Sequence, residues 1–274
     1  VNANDNLNHN IVKADSLLSI GESKSAADEY NDIGYYFYKN QNYNEALNYW
    51  KKSLKNYNKI NDLYGISNLS NRVGVIYKNM GLWSDALKFY NKSYSISKNR
   101  LDDELFLKVA GKSLNNLGII NMVIGDYYRS LTFLNRSLNL KQKEKNKMGE
   151  ARTLLNLVNV YTKLGNDYKA LENLNKGEIL AKTLDSQFLI AKALSYKASL
   201  FGSIMNWDSA KVYYKKSIDH YKEINDKKSL CYSLQDLGRI YLKTNEMKDA
   251  YIYLNDALEL TKKNNFNDNL QIIY

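Results

Sequence analysis

The sequence predicts an all-α array of antiparallel helix pairs, and three observations support this prediction. Pairs of small residues twelve positions apart return every 40 residues, with one interval of 44. The apolar residues around each pair follow three- and four-residue steps, the spacing of one helix face. A short polar or glycine-containing segment interrupts each pair of apolar stripes. A fixed period of this length is typical of repeat proteins in which each repeat is one supersecondary element. The six pairs are Gly34 with Ala46, Gly74 with Ala86, Gly118 with Ser130, Val158 with Ala170, Ala198 with Ala210 and Gly238 with Ala250.

The first repeat illustrates the prediction of two helices. One apolar stripe surrounds Gly34, polar residues 41–42 interrupt it, and a second stripe follows around Ala46. This order predicts a helix, a tight turn and an antiparallel helix. The two stripes consist of Tyr30, Ile33, Phe37 and Tyr38, and of Ala46, Leu47, Trp50 and Leu54.

Small residues have one role at the turns and a different role at the helix crossings. Gly81, Gly125 and Gly165 stand at the interruptions, where glycine accepts the left-handed backbone that ends a helix. Gly34 and Ala46 allow the two helices of one repeat to approach closely, because a branched side chain would not fit where they cross. Large residues then fill the space that remains.

This pattern resembles the tetratricopeptide repeat over residues 30–263, in six repeats. The resemblance lies in the pair of small residues, an aromatic residue three positions after the first and a bulky residue four positions after the second. Asn121 replaces the aromatic residue in the third repeat, Val158 is larger than the usual small residue, and the chain has no proline to close a repeat. The resemblance implies a right-handed superhelical α-solenoid, and the 40-residue period resembles a longer subtype found in peptide-binding regulators and signalling scaffolds. The aromatic residues are Phe37, Tyr77, Tyr161, Phe201 and Tyr241, and the bulky residues are Trp50, Tyr90, Leu134, Leu174, Tyr214 and Leu254.

Taken in order, the chain divides into four segments. Residues 1–10 are polar and rich in asparagine, so we expect a disordered leader. Residues 11–25 predict an amphipathic capping helix that ends at Gly21, residues 26–270 predict six helix pairs in one solenoid domain, and residues 271–274 match the start of a truncated seventh repeat. Residues 99–104 add four positions between the second and third repeats, and their acidic residues are suited to the start of the next helix. We hypothesise that the chain is a fragment of a longer protein.

The net charge of +10 raises the question of a nucleic-acid or membrane partner. Most lysines follow the second helices toward their carboxyl ends, where cations complement the helix dipole and keep an outer face hydrated. We therefore interpret the charge as a solvated convex surface and expect no nucleic-acid ligand. Cys231 is the single cysteine and lies on the apolar side of a helix start, so we interpret it as a packing residue.

The chain shows no arrangement typical of catalysis. His9 lies in the polar leader and His220 lies near the end of a second helix, and neither has the cysteine or carboxylate spacing of a metal site. The glycines serve helix crossings and turns and form no phosphate-binding loop. We predict that this part of the protein is not an enzyme and carries no cofactor or metal, although a kinase domain could be attached in a longer protein.

The resemblance implies that the first helices line a concave groove that binds an extended peptide. Asparagine amides can donate to and accept from a peptide backbone. Lys112, Arg152 and Lys192 follow one another at 40-residue steps and would form a basic row for a carboxylate or acidic side chains. The alternative is that these polar residues are solvated or stabilise adjacent repeats. The candidate ligand-binding residues are Asn71, Arg72, Lys112, Asn115, Asn116, Arg152, Asn156, Asn159, Lys192 and Tyr196.

Three classes of function fit the sequence. The first is the ligand-sensing or partner-docking region of a larger bacterial signalling protein of the sensor histidine kinase or regulator type, with a membrane tether outside this chain and an extracytoplasmic, periplasmic location. The second is a cytoplasmic adaptor or peptide-responsive regulator, and the third is an RNA-binding helical array. An unsealed end of the array would also permit end-to-end self-association through exposed apolar residues.

Overall fold

The computed structural model describes residues 3–264, with side chains from Asn6 onward. These residues form thirteen α-helices and no strand, so the all-α prediction is confirmed. Twelve of the helices make up the six predicted pairs. The helices are α1 (Ala3–Ser19), α2 (Ser23–Lys39), α3 (Tyr43–Lys59), α4 (Leu63–Asn79), α5 (Trp83–Ser97), α6 (Glu104–Val123), α7 (Tyr127–Lys143), α8 (Lys147–Lys163), α9 (Asp167–Thr183), α10 (Gln187–Ser203), α11 (Trp207–Glu223), α12 (Lys227–Lys243) and α13 (Met247–Asn264).

The chain divides into two compact units, each with its own internal packing. The amino-terminal unit comprises Val1–Lys78 with Leu82–Leu117, and the carboxy-terminal unit comprises Asn79–Gly81 with Gly118–Tyr274. The single solenoid domain over residues 26–270 stays a prediction. The main boundary falls within α6.

The predicted leader is wrong in extent, because α1 already begins at Ala3. Leu7 and Ile11 pack with Leu17 against a buried cluster that contains Ala14 and Tyr30. Burial of this stripe supplies the stabilisation that a short asparagine-rich helix lacks by itself. The predicted truncated seventh repeat lies outside the described residues.

The helix crossings confirm the role of the small residues and add a more precise reason for it. A Cβ atom on Gly34 would lie 2.2 Å from Cδ1 of Trp50, and one on Gly74 would lie 2.6 Å from Cε1 of Tyr90. Trp50 and Tyr90 are buried, and the Trp50 indole N–H donates to the carbonyl oxygen of Asn31 at 2.9 Å. The small residue on the first helix thus makes room for the bulky residue on the second.

Buried serines form a second set of links within the repeats. Ser53 Oγ donates to the carbonyl oxygen of Ala27 at 2.7 Å. Ser67 and Ser93 exchange equivalent bonds, with each hydroxyl donating to the other residue's carbonyl oxygen at 2.9 and 2.7 Å. Because these bonds satisfy the hydroxyl groups, small polar residues can remain in a helix interface from which water is excluded.

The turns within the repeats use a left-handed backbone, as the glycines predicted. Gly81, Gly125 and Gly165 have φ angles of 75°, 86° and 68°. In other repeats Gln41, Met205 and Asn245 adopt φ near +60° at this position. In several repeats an asparagine or aspartate side chain then accepts a backbone N–H of the next helix and caps it. Such caps are Asn42, Asp126, Asn166 and Asn206.

The four-residue insertion before the third repeat is divided between a loop and a longer helix. α5 ends at Ser97 and α6 begins at Glu104 and has 20 residues, against 17 in most other helices. Asp103 accepts the N–H of Leu105 at 2.8 Å through its carboxylate, which agrees with the predicted role of acidic residues at this helix start.

In the carboxy-terminal unit, α8 packs on α9, α10 on α11 and α12 on α13, and α10 also contacts α8 and α12. The sequential first helices α8, α10 and α12 therefore lie side by side. Cys231 is buried in α12 and its Sγ lies 3.4 Å from the carbonyl oxygen of Ala257, in agreement with its interpretation as a packing residue. Among the described helices, none combines the length and apolar character that crossing a bilayer requires.

Candidate ligand-binding site

Polar side chains from three neighbouring first helices meet in the carboxy-terminal unit. We call this set the first-helix face and define it by Arg152, Asn156, Asn159 and Lys163 on α8, Lys192 and Tyr196 on α10, and Asp236 and Arg239 on α12. It contains all five of the candidate residues that lie in this unit. Because it is carried by packed helices and not by loops, its side chains have a rigid support.

One hydrogen-bonded step of the face joins α8 to α10. Lys192 Nζ donates to Oδ1 of Asn156 at 2.7 Å and lies 5.4 Å from the ring centroid of Tyr196. Tyr196 in turn hydrogen-bonds Asn159, and burial raises the pKa of Tyr196 to about 12. Asn156 is only 4% exposed. Asn156 and Lys192 therefore hold neighbouring repeats together, which is the alternative that the sequence left open.

Arg152 differs from Lys192 because it keeps an exposed side chain. Its guanidinium lies 5.5 Å from the ring centroid of Phe188, in the position of a cation–π contact. Burial lowers the pKa of Arg152. Within the described part of the chain no carboxylate forms an ion pair with it, so its charge lies on a recessed, solvent-accessible surface without compensation.

Asp236 is a second charged group that the sequence reasoning missed. Its side chain is 47% exposed and lies 3.8 Å from Arg239, and its carboxylate also accepts a hydrogen bond from the hydroxyl of Tyr214. Burial raises the pKa of Asp236, although Arg239, Lys163 and the Tyr214 bond act in the opposite direction. The repeat register could have identified this residue, because Asp236 follows Asn156 and Tyr196 at 40-residue steps.

The candidate residues of the amino-terminal unit are largely engaged with one another. Asn71 is 7% exposed and its Nδ2 donates to Ser113 Oγ at 2.9 Å, while Asn116 Nδ2 donates to Asn71 Oδ1 at 3.3 Å. These bonds link α4 to α6. Arg72 donates to Asn31 Oδ1 at 3.3 Å and lies over the ring of Tyr35. The polar side chains of Asn71, Asn116 and Arg72 therefore serve contacts between adjacent repeats.

The residues of the predicted basic row are distributed over the two units, and the row as a whole stays a prediction. Lys112 is exposed and belongs to the amino-terminal unit with the half-buried Asn115, and both make contacts there. Only Arg152 and Lys192 share a unit, and Lys192 is already bonded to Asn156. Of the row, Arg152 is the residue best placed to receive an anionic ligand.

A groove of about 440 Å³ lies among α7, α8 and α9, away from the first-helix face. Its charged residues bond with one another or with neighbours, since Lys176 pairs with Glu172 and Gln142 donates to Glu150. No group of three or more metal-ligating side chains occurs among residues that the structure describes. The guanidinium of Arg152, which has no carboxylate partner among the described residues, therefore singles out the first-helix face as the candidate site.

Comparison with known proteins identifies the class of the fold. Residues 110–178 and 232–264 match tetratricopeptide-repeat family models. Together with the six helix pairs, these matches support the tetratricopeptide repeats that the sequence predicted. No curated protein matches the sequence.

Several solved structures share this fold. RapI in its apo form is 18% identical, with a TM-score of 0.81 over 93% of this chain and 89% of RapI. Aspartyl phosphate phosphatase F from Bacillus subtilis is 13% identical, with a TM-score of 0.76 over 90% of this chain and 62% of that protein, so the chain spans less than two thirds of it. The Rap conjugation gene regulator of plasmid pLS20, in complex with the Phr* peptide, is 19% identical, with a TM-score of 0.73 over 94% of this chain and 68% of the regulator.

Proposed function

We propose that this chain is the peptide-binding module of a signalling regulator and that it holds an extended peptide on the first-helix face of its carboxy-terminal unit. The single observation that carries the proposal is Arg152, an exposed cation without a carboxylate partner on a recessed surface. Similarity in fold to the pLS20 Rap regulator, whose structure contains the Phr* peptide, supports this type of ligand.

Arg152 favours a peptide with a carboxylate, supplied by an acidic side chain or by its own carboxyl end. A guanidinium presents a planar fork of donors that matches a carboxylate in bidentate geometry. The guanidinium of Arg152 lies over the ring of Phe188, and no carboxylate in the described part of the chain pairs with it. Asn159 is half-buried and extends the same surface with amide groups suited to a peptide backbone.

Two types of protein could contain this peptide-binding module. A ligand-sensing region of a larger protein, with an extracytoplasmic location, agrees with the sequence resemblance to sensor regions. A separate peptide-responsive regulator is favoured by the extent of the match to RapI, of which 89% is covered. Determination of the native reading frame on both sides of the chain distinguishes them, because a preceding signal peptide and a following membrane helix would belong only to the first.

The chain is proposed as a binding protein and not as an enzyme. The phosphatase name belongs to the Bacillus subtilis protein, and the first-helix face offers no nucleophile next to a general base. The RNA-binding alternative has a direct test, since affinity for RNA would fall steeply with salt concentration.

The binding proposal is tested with a synthetic pool of free peptides and affinity selection by mass spectrometry. The wild-type chain should retain peptides that carry a carboxylate, and Arg152→Gln should reduce their retention at least tenfold, because a charge-assisted hydrogen bond contributes about 1.5–3 kcal/mol. Arg129 is exposed on α7 and is a matched control, so Arg129→Gln should leave retention unchanged. Equal loss in both variants, or retention of no peptide by the wild-type chain, would contradict the proposal.

A further inference from the structure

The exposed apolar side chains of the carboxy-terminal unit are concentrated at one edge. Ten of the fourteen large apolar residues exposed in the described part of this unit lie at the turns within repeats or near the starts of the second helices. The turns between repeats, at the opposite ends of the helices, carry exposed charged residues such as Lys145, Asp185 and Lys227. We call the first group the apolar edge and define it by its six members that are more than half exposed, Tyr128, Tyr168, Ile204, Met205, Met247 and Tyr251.

Helix packing brings the turns within repeats into one row. Each helix from α7 to α13 packs on the next one, and α10 also contacts α8 and α12. Because each repeat is an antiparallel pair, its turn lies at the same end of the stacked helices as the turns of its neighbours. Packed helices lie about 8–10 Å apart. Tyr128 and Tyr168, at the same position of two neighbouring repeats, therefore belong to one continuous surface.

The apolar edge is large enough for a stable protein interface. Tyr128, Tyr168 and Tyr251 are between 72% and 80% exposed. An aromatic side chain offers about 150–250 Å², so the three tyrosines present roughly 400 Å². The isoleucine and methionine side chains of the edge bring this area to roughly 800 Å², which is the share of each partner in a stable interface. Monomeric proteins seldom expose an apolar surface of this size.

The turns that carry the apolar edge are neutral as a group. Together they contain five cationic and five anionic residues, although the whole chain has a net charge of +10. Asp126 pairs with Arg129 at 3.4 Å, and Lys211 pairs with Glu246. The charges beside the apolar side chains are therefore balanced on the edge itself. The four segments that contain these ten charges are residues 122–129, 162–169, 202–209 and 242–249.

This neutrality favours a second copy of the chain as the partner. Two copies with a net charge of +10 repel each other over most of their surfaces, but two neutral apolar edges can approach without repulsion. An anionic bilayer would instead be recognised by an excess of cations, which these turns lack.

We propose that the apolar edge is the contact surface of a homodimer, in which the same edge of two chains packs together around a two-fold axis. Such an interface needs one patch that is complementary to itself, as an apolar and neutral surface is. Dimerisation through the apolar edge is independent of peptide binding at Arg152. Arg152 lies near the amino end of α8, whereas the turn within that repeat follows the carboxyl end of α8.

Sedimentation equilibrium of the full chain, over a concentration range of about 1–100 μM, tests this proposal. The wild-type chain should show a monomer–dimer equilibrium. Tyr128→Gln combined with Tyr168→Gln should raise the Kd of the dimer at least tenfold, because both chains lose apolar contact area while their charge is unchanged. Ile179→Gln is the matched control, since Ile179 is also on α9, is 64% exposed and lies away from the edge. This control should leave the Kd unchanged.

The salt dependence of the dimer provides a second measurement. Raising the salt concentration from about 50 to 500 mM should strengthen the dimer, because salt screens the repulsion between two cationic chains. Circular dichroism checks that each variant folds. A dimer that persists in the double tyrosine variant, or that weakens equally in the control, overturns the apolar edge as the interface. A wild-type chain that stays monomeric overturns the dimer, and its binding to phosphatidylcholine vesicles through Tyr128 and Tyr168 would assign the edge to a bilayer instead.

Discussion

Gly34→Ala should destabilise the first repeat by about 2 kcal/mol, even though alanine favours helices more than glycine does. A Cβ atom at this position would lie 2.2 Å from Cδ1 and 2.4 Å from Nε1 of Trp50. Trp50 is 1% exposed and its ring is rigid, so it cannot yield by a small rotation of a flexible end. Its indole N–H also donates to Asn31, and a displaced ring would lose this bond.

The expected magnitude combines three effects. Overpacking a filled core costs about 1–3 kcal/mol. Loss of the indole hydrogen bond costs about 1 kcal/mol. The higher helix propensity of alanine returns about 1 kcal/mol. The net destabilisation is therefore about 2 kcal/mol.

Gly202→Ala is the control, because Gly202 also belongs to a first helix, where it lies in the last turn of α10. Its added Cβ would lie 3.3 Å from Cδ1 of Ile240, the flexible end of an isoleucine side chain. This substitution should be neutral or stabilise by up to about 1 kcal/mol. Urea unfolding followed by circular dichroism measures both variants, and hydrogen exchange of α2 and α3 localises the effect. If Gly34→Ala were as stable as the wild-type chain, the proposed crossing geometry would be refuted.

Three further predictions concern buried or charged polar groups. Asp62→Ala should destabilise by about 1 kcal/mol at pH 7, since Asp62 caps α4 through Gly65 N–H and pairs with Lys24 at 2.8 Å. Burial by itself raises the pKa of Asp62, but these bonds have the larger combined effect and lower the pKa from 3.8. The urea midpoints of the variant and the wild-type chain should therefore converge as the pH falls through the lowered pKa. Asp236→Asn should be at least as stable as the wild-type chain at pH 7, because a raised pKa means that the charge of Asp236 opposes folding. The thermal midpoints of the two proteins should converge below pH 3.8. A variant that is less stable than the wild-type chain at pH 7 would contradict this expectation. Asn71→Ala should destabilise by about 2 kcal/mol because it leaves buried hydrogen-bond partners unsatisfied, and an unchanged urea midpoint would argue against a role in linking α4 to α6.

Much of the fold could be predicted because the information is local and repeated. The 40-residue period, the small residue at Gly34 and the large one at Trp50 recur in register, so each repeat supports the assignment of the next. The start of α1 was missed because its asparagines suggested an unstructured leader. The contacts of Leu7 and Ile11 with the first repeat decide that helix, and they depend on tertiary packing.

The candidate site could be predicted only in part. Position in the repeat selected Arg152, Asn156 and Lys192, and the structure joins Asn156 to Lys192. Position could not distinguish a residue that holds two repeats together from one that remains available to a ligand, because that depends on which side chain the neighbouring helix presents. Asn156 is bonded to Lys192, whereas Arg152 is left without a carboxylate.

The sequence by itself determined that this protein is a series of helix pairs with small residues at the crossings, since helix periodicity and the size of side chains act locally. The tertiary structure alone decided which polar side chains bond to the next repeat and which charges remain uncompensated. The physical reason is that desolvation and hydrogen bonding depend on all the surrounding helices. Arg152 and Lys192 show this most clearly, because they occupy the same position of consecutive repeats, yet Lys192 bonds to Asn156 while Arg152 lies over the ring of Phe188.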